Sequence, residues 1–341
     1  MCQRKIRDML TMPRIWEQGN EILFMRHFTH GRNSDNRSDL VCFLGEWMQQ
    51  RTHQLFVDFL LFLATALWGI TFIVVKQAVA QVDVFSFLSA RFTLAFFVLL
   101  VLFHKRTWPF QRDTVGAGAL LGVLLFGAFA FQTWGLTLTT ATNAGFFTGL
   151  NVIMVPLLSL ALLKRPPAPF AAAGVVFASI GLYYLTGGWP SHWNRGDMLV
   201  FICAIWVSLH VLLTGYFSTR HDPFALTTWQ IGTVAGLSLL FSAARGTLTF
   251  SLPLPVWVAV GITALFCTVF SFSVQTYAQQ FTTPTRTALI FTAEPVFGAM
   301  FSHWYGGEAL LRSHILGGSL IFLGMILSEI KPVMWKKIGA P

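Results

Sequence analysis

The sequence predicts an all-α membrane protein: ten transmembrane helices as two inverted five-helix repeats, with both termini in the cytoplasm. Three observations carry this. The chain is 55% hydrophobic and only 11% charged, where a soluble domain carries roughly 25% charged residues. Its apolar residues fall into runs long enough to cross a bilayer. Its Lys and Arg residues collect in alternate gaps between those runs.

A membrane helix needs about 20 mostly apolar residues. Such runs lie near 55–75, 84–103, 115–136, 142–163, 168–187, 197–217, 224–244, 255–277, 284–304 and 313–330. They lack the period-2 alternation of barrel strands, so helices are the structure that satisfies the backbone in lipid. With the N-terminus in the cytoplasm, the cytoplasmic segments hold 18 Lys/Arg and the external loops hold four, Lys76, Arg195, Arg245 and Arg312. The positive-inside rule fixes that orientation. The net charge of +9 is thus a topology signal, and a nucleic-acid partner is not expected. The partners expected are the lipid bilayer and a small-molecule solute.

Residues 1–54 read as a poorly ordered cytosolic extension with eight Lys/Arg and six Asp/Glu. They carry no secretory signal core, and Met48, just ahead of the first run, is an alternative start. Residues 331–341 form a short basic cytosolic tail. Cys2, Cys42, Cys203 and Cys267 match no metal or redox spacing, so no metal or cofactor is expected. The chain contains no GxxxxGK(S/T), HExxH or GxSxG motif, which speaks against an ATPase or hydrolase.

Shifted by about 139–143 residues, the chain partly matches itself. Ala66-Leu67-Trp68 meets Ala204-Ile205-Trp206, Arg91 meets Gln230, and Gln132-Thr133-Trp134 meets Gln275-Thr276-Tyr277. In the same register Thr139-Thr140 meets Thr282-Thr283, Asn143 meets Arg286, and Asn151 meets Glu294. The repeats are expected at 55–187 and 197–330. Each has five spans, an odd number, so the second half must run upside down relative to the first. Inverted repeats place a solute site near the bilayer midplane, at the repeat interface.

The residues that carry a family resemblance are Leu67-Trp68-Gly69-Ile70-Thr71-Phe72 with Lys76, Ala90-Arg91-Phe92, and Thr140 to Leu150 running on to Val155-Pro156. In the second half they are Thr285 to Ile290, Ala293-Glu294-Pro295-Val296-Phe297 and Gly307-Glu308. With these residues the two halves resemble EamA-type domains of the drug/metabolite transporter superfamily. The first half departs from the family's Leu-Gly-Glu-like turn, reading Leu162-Leu163-Lys164-Arg165. The resemblance implies ten helices, cytoplasmic termini, and export or uptake of amino acids, metabolites or drugs; of the two directions export is expected, and the location expected is the cell inner membrane.

The residue candidates follow from cost. A charge inside a span costs about 2.5–3.5 kcal/mol on insertion scales, so Glu294 and Arg91 stand out. Glu294 suits a proton or a substrate amine, and Arg91 a carboxylate. Each also has a structural reading: a hydrogen bond to a neighbouring helix for Glu294, snorkelling for Arg91. His210 lies well inside a span, where it is a proton carrier or a hydrogen-bonded structural residue. Asn151 and Glu294 would line one cavity from opposite sides, with Trp68, Trp134, Trp206 and Tyr277 as aromatic walls. Pro156 and Pro295 would interrupt corresponding helices and serve as hinges. Protons or sodium are the coupling ions considered, and a monomer or weak homodimer the assembly. Two other functions stay open: a membrane-embedded enzyme acting on a lipid or lipid-linked substrate, and a non-transporting membrane partner.

Overall fold

The computed structural model describes residues 36–188, 192–306 and 311–329. Among the described residues every regular element is helical, and the helices group into ten rods. We number them α1 (Asn36–Val79), α2 (Val84–Thr107), α3 (Arg112–Leu138), α4 (Ala141–Leu163), α5 (Pro169–Leu185), α6 (Arg195–Ser218), α7 (Pro223–Ala244), α8 (Leu254–Ala278), α9 (Pro284–Phe291 and Glu294–Gly306) and α10 (Arg312–Ser328). Seven are long and apolar enough to cross a membrane: the stretch of α1 from Thr52, and α2, α3, α4, α6, α7 and α8. Helices α5 and α10 are apolar but have 17 residues each, at the short end of what spans a bilayer. The expected extension over 1–54 lies outside the described residues up to 35, and its residues from Asn36 are helical.

Short polar residues start these helices. Asp83 Oδ1 accepts from the Phe85 and Ser86 amides at the head of α2, and Asp222 Oδ1 accepts from the Phe224 and Ala225 amides at the head of α7. Thr140 and Thr283 cap α4 and α9 by accepting from the Asn143 and Arg286 amides. The two Asp caps each satisfy two of the orphan donors of a helix start, and the two Thr caps one each. The first pair lies 139 residues apart and the second 143 apart, the same shifts that relate the two halves of the sequence.

Equivalent helices of the two halves run antiparallel. Along α2 and α7, Phe85 meets Phe241, Gly232 packs on Phe96, and Phe103 stacks on Phe224. Along α5 and α10, Gly174 lies against the Gly324 carbonyl and Gly181 against that of Gly317. At these two glycines an added Cβ would sit 2.5 and 2.6 Å from the facing oxygen, so only glycine permits the backbones to approach this closely. Along α4 and α9, Gly145 faces Pro295 and Val152 clusters with Leu289. As one residue number rises, the other falls, in every pair.

Helix α2 is kinked at Phe103, and three other rods are interrupted. Helix α4 breaks at Leu150, where Leu150 N–H donates to Phe147 O and Ile153 N–H to Leu150 O in tight i→i+3 turns. Helix α9 breaks at Thr292–Ala293. There Pro295 has no N–H to offer the Phe291 carbonyl one turn earlier, and Ala293 N–H bonds Ile290 O instead. Helix α8 holds a π-helical turn at Leu265–Phe270. The two prolines expected as hinges occupy different kinds of position. Pro295 sits in the first turn after the α9 break, whereas Pro156 lies inside an uninterrupted half-helix, six residues past the α4 break.

Candidate functional site

The breaks in α4 and α9 occupy equivalent places in the two halves, 143 residues apart. They also coincide in space. Gly145 of α4 rests against Pro295, and Gly69 of α1 comes so close that an added Cβ would lie 2.8 Å from the Glu294 carbonyl oxygen. Two half-helices therefore begin near this contact, at Asn151 and Glu294.

Polar groups at this crossing lack partners. Glu294 lies deep among the helices yet keeps part of its surface accessible, and its carboxyl makes no hydrogen bond or ion pair among the described residues. It lies within electrostatic reach of the Cys203 and Cys267 thiols. Asn151 is buried, and its Oδ1 has no donor. Unsatisfied buried polar groups cost about 1–3 kcal/mol each. Sites of this kind need a reason, and a transient ligand is one.

Arg91 stands on α2 and is 2% exposed. Its Nε donates to Thr268 Oγ1 at 3.0 Å, and the Thr268 hydroxyl, in the π-helical turn, donates to the Thr263 carbonyl. The guanidinium carbon lies 4.7 Å from the Phe129 ring centre and 5.1 Å from that of Phe92. Among the described residues it has no carboxylate partner. The same π-helical turn holds Trp68, whose Nε1 donates to the Cys267 carbonyl at 2.8 Å. A continuous aromatic chain links the two: Phe92 to Phe129, Phe129 to Phe272, Phe272 to Trp68, and Trp68 to Phe291.

His210 is buried and joined to Gln230, the repeat partner of Arg91. His210 Nε2 and Gln230 Oε1 lie 2.9 Å apart, and Gln230 Nε2 donates to Thr276 Oγ1 at 3.1 Å. This line ties α6, α7 and α8 together. Its members are paired with one another. The other aromatic candidates lie apart from the crossing. Trp206 packs on Gly127 and Phe131 in the seam between α3 and α6. Tyr277 stacks on Phe224 at the start of α7. Trp134 is 45% exposed, because Thr133, Gly135 and Leu136 take the inner face of α3. A shared pocket wall of all four aromatics is therefore not formed; Trp68 alone stands with the other candidates.

The sequence reading passed over a pair of acidic nodes. Asp197, fully buried at the head of α6, accepts from Thr139 Oγ1, Asn143 Nδ2 and the Asn194 amide. Asp58 on α1 pairs with Arg286, which also reaches Glu329. Asp58 and Asp197 are 139 residues apart. Asn143 and Arg286 are likewise repeat partners. The two nodes are one motif written twice. They sit at opposite ends of α1: Lys76, 18 residues and about 27 Å beyond Asp58, donates to the Thr139 carbonyl beside Asp197. Helix α6 makes the reverse journey, from Asp197 to Gly215, which abuts Pro284 next to the Arg286 node. The recurrence of an acidic residue at the repeat shift was the available signal.

Both halves match the model of the EamA-like transporter family, at residues 55–187 and 194–329. The chain belongs to this family. It is 32% identical over 278 residues to an "Uncharacterized transporter" of Archaeoglobus fulgidus, covering 82% of this chain and 87% of that one. It is 25% identical to the "Uncharacterized transporter YyaM" of Bacillus subtilis, covering 76% of this chain and 89% of the relative. A solved structure titled "Crystal structure of protein" superposes with a TM-score of 0.68 at 18% identity, over 83% of this chain and 99% of that one. That likeness shows the fold. An EamA-like chain with several apolar membrane-length helices is a multi-pass membrane transporter, and Gly307-Glu308 of the family pattern lies outside the described residues.

Proposed function

We propose that the protein is a secondary or facilitative transporter of small organic solutes that works by alternating access between its inverted halves. In this reading ten helices cross the inner membrane, with both termini in the cytoplasm, and the solute moves outward. The direction rests on the family resemblance alone. One observation carries the mechanism: α4 and α9 break at equivalent positions, cross at those breaks, and leave Asn151 and Glu294 without partners there. Broken helices with free ends at mid-depth are where transporters bind solutes. The pseudo-two-fold supports exchange of outward-open and inward-open forms, because each half can adopt the shape of the other.

The test is flux in proteoliposomes loaded with a pool of amino acids and amine drugs, under pH gradients of both signs and under a sodium gradient. The reading expects release of at least one solute above empty vesicles, and at least a tenfold loss on Glu294→Gln in protein that still elutes as a single folded species. If Glu294 couples protons, Glu294→Gln abolishes pH-driven flux and spares counterflow. No flux of any solute under any gradient contradicts the transport reading. Covalent conversion of a lipid in the same vesicles would favour the enzyme reading.

A further inference from the structure

Arg91 presents a charge with no counter-charge. A buried guanidinium is costly unless paired and hydrogen-bonded. It offers five N–H donors. Only the Nε donor has an acceptor among the described residues, and that acceptor is a neutral hydroxyl, Thr268 Oγ1 at 3.0 Å. The flanking rings of Phe129 and Phe92 hold the plane in place by cation–π contact. The Nη edge of the fork is left unengaged, and fork geometry matches a planar carboxylate through two parallel N–H···O bonds.

We propose that Arg91 is the anion-recognition group of the solute site, taking a monocarboxylate whose apolar body lies along the Phe129, Phe272 and Trp68 rings. The aromatic chain begins at the guanidinium and ends at Phe291, three residues before Glu294. Arg91 is tied to the π-helical turn through Thr268, and Trp68, tied to the same turn, meets Phe291 on the helix that carries Glu294. A single guanidinium balances one negative charge; a dianion would add a net charge beside the Glu294 carboxyl. The π-helical turn sets the register, since it fixes Arg91 through Thr268 and Trp68 through the Cys267 carbonyl.

This deepens the transport reading by naming the class of solute. The experiment is thermal stabilisation of the detergent-solubilised full chain by a series of monocarboxylates from acetate to phenylacetate, each beside its own amide. The proposal expects saturable stabilisation by at least one acid, strongest for the aromatic member, and none by the matching amide. Arg91→Gln should weaken the acid response at least tenfold, and Arg91→Lys should keep part of it. If Arg91→Gln does not fold, Thr268→Val serves instead: it frees the guanidinium and should weaken the acid response while leaving the acid-over-amide preference. Equal responses to acid and amide, a response unchanged in Arg91→Gln, or no response to any acid overturns the proposal. Acid binding through Arg91 without flux sinks the transport reading and leaves this one standing; flux confined to solutes without a carboxylate does the reverse.

Discussion

The two halves of the molecule share a scaffold and differ in charge. Where the first half ties α4 to α6 through Asn143 and Asp197, the second ties α9 to α1 through Arg286 and Asp58, with Glu329 added. Asn151 begins the second part of α4, and Glu294 that of α9. Helix α3 runs unbroken through Gly122 and Gly127, while α8 takes a π-helical turn over the equivalent stretch. The reverse holds on α2 and α7, where the first half carries the charge, Arg91, and the second carries Gln230, and on α1 and α6, where Lys76 meets Gly215 at the repeat shift. Duplication thus fixes where helices start, cross and break. The chemistry at those points is free to diverge.

The halves also differ in how much each node contributes, and substitutions rank them. Asp58→Asn leaves Arg286 with Glu329 alone in a largely buried position, at a cost of about 3 kcal/mol. Asn143→Ala removes one hydrogen bond from Asp197, which keeps two others, at about 1 kcal/mol. Denaturation midpoints of the two variants in one detergent check the order, and equal costs would break the comparison. Gly317→Ala should cost about 3 kcal/mol by overpacking, since the new methyl would sit 2.4 Å from the Leu185 nitrogen; a variant as stable as the parent would contradict the close α5–α10 seam. The smallest effect tests identity rather than difference. Thr140→Ala and Thr283→Ala each remove an N-cap worth about 1 kcal/mol and should match within a few tenths.

Much of the scaffold was legible because charges and short polar residues end the apolar runs. Expected spans 84–103, 197–217 and 224–244 correspond to Val84–Thr107, Arg195–Ser218 and Pro223–Ala244, with caps at Asp83, Asn194 and Asp222. The breaks were not legible. Span 4 reads as one apolar run through Gly149 and Leu150, and hydropathy has no sign for a tight turn. Pro156 drew attention as the visible helix breaker, but a helix can absorb a proline six residues past its start, and its repeat partner is Ala299, not Pro295. Asp58 went unread because a carboxylate three residues into an expected span looks like an interfacial residue. Its meaning appears once Asp197 is seen at the same shift. Arg91 and Glu294 were found by cost alone, and that argument needs no structure: a charge in lipid has to be held for a reason.

Accessibility of the crossing tests the account most directly. In a chain with all four native cysteines replaced, a single Glu294→Cys or Asn151→Cys thiol is challenged with a membrane-impermeant reagent from each face of oriented vesicles. Alternating access at the α4–α9 crossing predicts that both positions are labelled from both faces. A thiol that reacts from neither face, or from one face only under every gradient, would contradict it.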